Sequence, residues 1–561
     1  MPPLRRRVLP ALRRALAAAA LVVLAAAPAR AQREGLLQIG DDLDAFLERQ
    51  QTAGLLPPVP IDARPLSAYE AAPLLDSLAA HADRLSPSDR ARLDRYRGTR
   101  DAPGAALGRR IGLYRDGEHL ASVEGDGYRL VLEPLAYFAL GGARQTEAPD
   151  RDPTAFTWQN TRGVRAAGHL GRHLFFETRL EENQRRPVVL ELDGRTAPRL
   201  GFVKLAGGTT YDYFRASGVV GYHDRFVEVR FGRDRNRWGP GTNSLSLSDY
   251  APAYDQLQIR ARVWRLAYTS LVARFTDPRS PTGSDTFLPS AYGAFHRLTL
   301  ALPYRTELSL YESVIFADDS TGGRRRGFEL AYLNPILFYR ALEGDLGSPD
   351  NVLLGASAAW TPVRGARVYG DLFLDELRVS QLSESWWGNK WAFMLGAHAV
   401  VPGVDGLDAR VEFARLRPYL YSHRSLSTAY VHYGDGLGHT AGPNAQDLSL
   451  FLRYRPTPAL HAALDVAYTL RGRNTDSLNY GSDPRVSYDT RVGDFGITQF
   501  QGVRQSTWLV EGRVGYEVLP NLLVEAALVG ESVNDAELGL YRYTAGFLQL
   551  RWGLPFRSER W

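Results

Sequence analysis

Four stretches of the chain carry the residue types that hold a polyhydroxylated ligand. They are Gly232–Gly241 with the Ser244-Leu245-Ser246-Leu247-Ser248 run behind it; Asn334-Pro335 with Phe338-Tyr339-Arg340; Ser385-Trp386-Trp387-Gly388-Asn389-Lys390; and Arg417-Pro418-Tyr419-Leu420-Tyr421-Ser422-His423, running on to Asn444. A sugar presents apolar CH faces that stack on aromatic rings and hydroxyls that pair with amide, guanidinium and carboxylate groups. Trp238, Trp386, Trp387, Tyr419 and Tyr421 supply faces, while Arg237, Arg417, Asn389, His423, Asp435 and Asn444 supply polar partners. A guanidinium also suits an acidic sugar, whose carboxylate accepts two parallel hydrogen bonds. The competing reading is an interfacial aromatic belt, with the Gly-Pro pieces setting loop geometry. Belt aromatics sit at strand ends, whereas Trp238 and the Trp386-Trp387 pair fall inside loops, which favours ligand contact.

Other chemistries have weaker support. His423, His432 and His439 lie close together with Asp435 nearby, but zinc needs its ligands held tetrahedrally, and loop spacing does not establish that; ordinary loop hydrogen bonding accounts for them. No Gly-x-Ser-x-Gly elbow occurs. The carboxylate pairs Glu181-Glu182, Asp318-Asp319 and Asp375-Glu376 are neighbours along the chain rather than partners across a cleft, as glycoside hydrolysis requires. The chain is therefore not expected to be an enzyme, and no cofactor or metal is expected. It has no cysteine, which excludes disulfides, thiolate nucleophiles and Cys-ligated metals. Its formal net charge is +5, and Lys204 and Lys390 are the only lysines. Acidic and basic residues are interspersed, unlike the clustered footprint of a nucleic-acid binder.

The elements that must carry these loops are strands. Five proline-marked turns, at Pro303, Pro362, Pro402, Pro458 and Pro520, each sit between runs with apolar residues at every second position. Leu298, Leu300 and Leu302 alternate with Arg297, Thr299 and Ala301; Leu407, Ala409, Val411 and Phe413 alternate with Asp408, Arg410, Glu412 and Ala414. An arginine facing lipid near the midplane costs roughly 2–4 kcal/mol, so the charged positions must face an enclosed lumen. The pattern predicts strands near 128–140, 157–169, 173–182, 211–222, 226–232, 257–264, 266–276, 295–302, 305–316, 352–361, 364–378, 391–401, 405–417, 446–456, 459–471, 505–518, 521–533 and 541–554. About eighteen antiparallel strands with short turns at one end and long polar loops at the other describe an all-β transmembrane barrel. The last strand is expected to run from Tyr543 to Phe556.

Before the barrel, the period is helical. Asp41-Asp42 precede Leu43, Phe46 and Leu47; Ser67-Ala68-Tyr69-Glu70 fits a capping box; Ser86-Pro87 opens a third helix. The expected division is a signal peptide over 1–31, with a basic n-region, an apolar run over 15–27 and an Ala29-Arg30-Ala31 cleavage site, then a periplasmic helical bundle over 32–105 and an outer-membrane barrel over 106–561. Both ends would lie in the periplasm and the long loops outside.

Three phrases extend this reading. Arg237-Trp238-Gly239-Pro240-Gly241 with its Ser-Leu-Ser-Leu-Ser run, Arg417-Pro418-Tyr419-Leu420-Tyr421-Ser422-His423, and Gly438-His439 followed by Gly442-Pro443-Asn444 resemble the capsule-assembly protein Wzi family, over about residues 210–450. The resemblance implies an eighteen-stranded outer-membrane barrel with an N-terminal periplasmic helical bundle. It further implies a lectin-like, non-catalytic role in which surface or capsular polysaccharide is the partner, with outer-membrane lipid around a monomeric barrel. A porin, or a component of a surface-motility or secretion apparatus, is the alternative.

Overall fold

The computed structural model describes residues 34–57, 59–146, 154–187, 196–276, 290–317, 327–334, 338–346 and 350–556. The expected signal segment, part of the Asn334-Pro335 stretch, Asp318-Asp319 and Trp561 lie outside them. Eighteen antiparallel strands close into a barrel, each paired with its neighbours in sequence and the last with the first. They are β1 (Tyr128–Thr146), β2 (Thr154–Leu170), β3 (Leu174–Arg186), β4 (Thr210–His223), β5 (Val227–Asp234), β6 (Tyr254–Val263), β7 (Leu266–Thr276), β8 (Ser290–Leu302), β9 (Thr306–Ala317), β10 (Asn351–Val363), β11 (Ala366–Glu376), β12 (Lys390–Val400), β13 (Leu407–Leu416), β14 (Ala445–Tyr454), β15 (Leu460–Arg473), β16 (Val503–Leu519), β17 (Leu522–Asp535) and β18 (Gly539–Trp552). Closure leaves every wall strand with two partners, which is what lets backbone polar groups sit in lipid.

All five proline turns fall at the short-turn end. There Tyr304 and Asn521 take the left-handed backbone (φ +59° each) that tight hairpins demand. The alternation also holds: Arg297, Thr299, Arg410 and Glu412 are buried inside, while Leu298, Leu308, Leu310, Val411 and Leu448 are exposed on the outside. No helix among the described residues is long and apolar enough to cross a membrane.

Several strands run past their expected ends on the long-loop side. β1 continues six residues beyond 140, and Gly142, Ala143 and Arg144 still pair with Gly546, Ala545 and Thr544. At this level the outward positions are no longer strictly apolar, so the pattern fades while the ladder persists. The last strand ends sooner than expected. Gly553 turns with φ +66°, where a Cβ would lie 2.2 Å from the Pro134 carbonyl oxygen, so only glycine fits. The chain then leaves the wall, and Phe556 packs under the guanidinium of Arg513 at 3.7 Å inside the lumen.

Helices α1 (Asp42–Thr52), α2 (Ala68–Ala79) and α3 (Pro87–Tyr96) form where the caps predict. Asp41 caps α1 by accepting from Asp44 N, Ser67 and Glu70 complete a capping box, and Ser86 caps α3 ahead of Pro87. Their apolar faces make one core of Leu43, Phe46, Leu47, Leu66, Leu74, Leu75, Leu78 and Leu93. These helices do not merely lie beside the barrel. They seat in its short-turn mouth, with α3 donating from Arg95 to Glu517 (2.8 Å) and α1 from Arg49 to Asp408 (2.8 Å). A short α4 (Ala105–Arg110) follows under β16.

The outer face can be checked directly. Leu310 sits near the middle of β9 and is 65% exposed. Leu310→Arg is expected to cost roughly 2–4 kcal/mol in a reversible urea titration of the barrel in lipid bilayers, while Leu310→Phe should change little.

Candidate functional site

The loops at the long-loop end do two different things, and the predicted site residues divide between them. The loop between β5 and β6 turns inward. Arg237 and Trp238 form a short antiparallel pairing with Arg64 and Ala63, from the segment joining α1 to α2. Gly239 N donates to the Asp62 carbonyl (2.9 Å), and Trp238 N donates to the Leu247 carbonyl (2.9 Å). Trp238 is 1% exposed and packs with Leu245, Leu247 and Tyr254 in the largest apolar core among the described residues. Its ring presents no face to solvent. Arg237 donates to Glu48 of α1 (2.7 Å).

The loop between β13 and β14 joins the same core. Tyr421 stacks on Tyr430 with ring centroids 5.4 Å apart, and their hydroxyls donate to the carbonyls of Leu245 (2.7 Å) and Ser246 (3.1 Å). Ser248 Oγ donates to the Gly438 carbonyl (2.7 Å). A Cβ on Gly438 would fall 2.4 Å from the Tyr421 hydroxyl oxygen, so the close crossing requires glycine. The Arg-Trp-Gly-Pro-Gly and Tyr-x-Tyr phrases thus meet each other inside the lumen, and the first also meets the N-terminal segment.

The outward group is built from three loops: β11–β12, β13–β14 and β15–β16. Trp386 and Trp387 lie against each other (5.7 Å), Trp387 meets Tyr419 edge-on (6.2 Å) and Tyr488 at 4.7 Å, and Ile497 closes the cluster. Trp387 and Tyr419 are buried, whereas Trp386 is only half-buried. Arg378 lies over the Trp386 ring at 4.6 Å and Arg491 over Trp387 at 4.3 Å, both within cation–π range. Asn389 supports this ledge by accepting from Arg378 N (2.7 Å) and donating to the Gln381 carbonyl (3.1 Å). Arg417 donates to the Ile497 carbonyl (3.3 Å). Below it, Lys390 pairs with Asp375 (2.7 Å), which also accepts from Tyr421 N (2.8 Å).

Asn444 ties the loops together. Its amide donates to the carbonyls of Gly472 (2.9 Å) and Gln501 (3.0 Å) and accepts from Phe500 N (2.7 Å). These are structural bonds, and Asn444 is fully buried. The histidines are likewise engaged locally. His432 Nδ1 accepts from Thr276 N (3.0 Å), His439 Nδ1 accepts from Ala441 N (3.2 Å), and His423 Nδ1 bonds the Thr428 hydroxyl. Among the described residues no group of three or more His, Asp or Glu is placed to hold a metal ion.

Sequence reasoning missed Arg378, Tyr488 and Arg491. Arg378 falls at the end of a run expected to be strand (364–378), while Tyr488 and Arg491 lie in the β15–β16 loop, which offered no unusual phrase; only the fold of that loop onto the β11–β12 loop, where Trp387 N donates to the Asp494 carbonyl (2.9 Å), brings those two to the tryptophans.

The sequence matches no family model and no curated protein. Among solved structures the chain is similar to Wzi of Escherichia coli, described as an outer-membrane protein involved in group 1 capsule assembly and a carbohydrate-binding β-barrel. The TM-score is 0.52 at 14% identity, over 93% of this chain and 100% of that one. It also matches a BenF-like porin of Pseudomonas fluorescens (TM-score 0.42, 12% identity, 75% of this chain and 97% of that one) and OpdK of Pseudomonas aeruginosa with vanillate (0.40, 10%, 74% and 97%). The first of these establishes a shared fold, as the sequence resemblance led one to expect.

Asp435 yields a pH prediction. Burial raises its pKa to about 7 from an ordinary value of 3.8, against the opposing hydrogen bond from Arg199 N (2.8 Å). The folded state therefore holds a proton that the unfolded state has lost. The resulting loss of stability is absent below about pH 4 and grows as pH rises through about 7. Asp435→Asn should match the parent's melting temperature at pH 3.5–4 and exceed it near pH 8, measured in detergent.

Proposed function

We propose that this chain is an outer-membrane surface protein that holds extracellular polysaccharide, lectin-like, without catalysing a reaction on it. In this reading the long-loop end faces out of the cell, residues 1–31 are an export signal, and the helices of 32–105 and both chain ends lie in the periplasm. One barrel acts alone.

The observation that carries the reading is the contrast between the two groups of loop residues. The lumen is filled by α1–α3 from one end and by the inward β5–β6 loop from the other, and these meet at Arg237 and Glu48. A diffusion pore needs an open path, and this contact stands in its way. Trp386, by contrast, stands half-exposed on the loop face, with Arg378 over it and the exposed Arg424 and Asp489 of the same surface nearby in the fold. An aromatic face, guanidinium donors and a carboxylate acceptor together suit a sugar chain, and an acidic one especially. The likeness to a barrel described as carbohydrate-binding supports the same reading. Within the cluster, Trp386 is the stacking surface, while Trp387, Tyr419 and Asn389 hold it in place; Tyr421, Trp238 and Asn444 act further back, by fixing the loops.

Trp386→Ala is expected to weaken binding of the cell's own surface polysaccharide roughly tenfold, about 1.4 kcal/mol, with Trp386→Phe recovering most of it. Retention of polysaccharide on cells and affinity electrophoresis of the purified barrel both read this. Unchanged retention by an inserted, heat-modifiable Trp386→Ala barrel would overturn the assignment.

A further inference from the structure

The Phe338-Tyr339-Arg340 stretch joins neither the inward loops nor the Trp386 cluster. It belongs to the β9–β10 loop, which folds back against the outside of the wall. Side chains directly opposite each other on two antiparallel strands share a face. The pairs Leu298–Leu310, His296–Glu312, Ala294–Val314 and Tyr292–Phe316 therefore lie on one face of β8 and β9, alternating with the inward Arg297 and Phe295. Leu298 and Leu310 stand exposed on the lipid side, so the other three pairs face outward above them. There Ala294, Val314, Phe316 and Val352 form a buried cluster with Tyr332 and Tyr339 of the loop, and Phe328 and Leu342 pack against it. Tyr332 lies on a short helical turn (Leu330–Leu333), and Tyr339 opens helix α5 (Tyr339–Leu346). The rings of Phe316 and Tyr332 are 4.9 Å apart, and Phe328 meets Tyr292 edge-on at 5.2 Å.

The polar residues of this outer face hold the lobe in place. A carboxylate turned toward lipid is destabilising. Glu312 instead accepts from Tyr339 N (2.7 Å) and Arg340 N (2.9 Å), two of the N–H groups that a helix start leaves without partners. Beside it, His296 Nδ1 bonds the Tyr268 hydroxyl (3.1 Å), and its ring lies 3.8 Å from that of Tyr339. What the lobe turns away from the wall is apolar: Leu330 is 71% exposed, Phe338 74%, and Leu333 is exposed beside them. A tilted strand crosses the hydrocarbon in about 9–11 residues. Counted from Thr306, at the short-turn end of β9, that span reaches Val314 to Phe316. The attachment at Glu312 and Val314 therefore falls within the apolar band. We infer that this lobe is sunk in the membrane, and that Leu330, Leu333 and Phe338 form a surface for the acyl chains of the leaflet at the long-loop end. The surface continues the lipid-facing wall directly below it, where Leu298, Leu308, Leu310 and Leu354 are exposed. On this side of the barrel a loop, rather than the strands alone, meets the lipid.

The chain has no cysteine, so a single introduced thiol can carry a fluorescent probe on the full-length barrel, reconstituted in vesicles of phosphatidylcholine brominated along its acyl chains. Probes at Phe338→Cys and Leu330→Cys should lose most of their emission there, as a probe at Leu310→Cys on the bare wall does. A probe at Thr498→Cys, exposed in the β15–β16 loop, should keep nearly all of it. Iodide added to the water should quench in the reverse order. If the Phe338 and Leu330 probes behave like the Thr498 probe in barrels whose Leu310 probe is quenched, the inference fails. It fails equally if Phe338→Cys barrels cross-link to one another in the bilayer while their probes escape the brominated chains, because the face then belongs to a second copy.

Discussion

One partly buried carboxylate joins the parts of this molecule. Glu48, on α1, accepts from Arg64 of the segment that follows α1, from Arg237 of the inward loop and from Arg410 of the wall strand β13. Helical bundle, long loop and barrel wall converge on a single side chain. Burying any one of these charges alone would cost several kcal/mol, and breaking a buried pair typically costs about 3–5. The three guanidiniums therefore depend on Glu48, and two of them, Arg64 and Arg237, also on Asp44. The arrangement repeats around the mouth: Glu70 of α2 meets Arg230, Arg260 and Arg262, Asp62 meets Arg297, and Asp42 meets Arg92 and Arg455. A membrane barrel must put its charged residues inside, and that inner wall then dictates what can fill it.

This constraint explains why the inward loop carries such an unusual sequence. Chain that enters a charged lumen must bring a counter-charge and also bury its own backbone. Arg237 meets the first need, and the pairing of Trp238 with Ala63 and Leu247 the second. The Ser-Leu-Ser-Leu-Ser run places Leu245 and Leu247 in the apolar core, while Ser244 and Ser248 bond carbonyls. The uncommon phrases are demanding because they are interior. Trp386 and Arg378, by contrast, keep part of their surface at the loop face, although Trp387, Asn389 and Lys390 beside them are buried.

Much of the wall could be read directly from the residues. Proline turns, period-two alternation and helix caps are local signals, and Pro303, Leu298 against Arg297, and Ser67 with Glu70 each sit where those signals place them. The misreadings have physical causes. β1 and β8 run beyond their apolar pattern because ladder hydrogen bonds do not require apolar side chains. Phe556 continues the alternation of β18 on paper, yet the turn at Gly553 takes it out of the wall. No periodicity reports a backbone that turns into a cavity.

The sequence by itself determined that the chain forms a charged-inside, apolar-outside wall of paired strands with a capped helical segment ahead of it, because each of those properties depends on neighbours within a few residues or across one hairpin. Only the tertiary structure decided which loops turn inward and which face out. Trp238 and Trp386 occupy equally loop-like sequence. What separates them is whether the chain finds, tens or hundreds of residues away, the charges and carbonyls that make burial affordable: Glu48 and Leu247 for the one, and no comparable enclosure for the other.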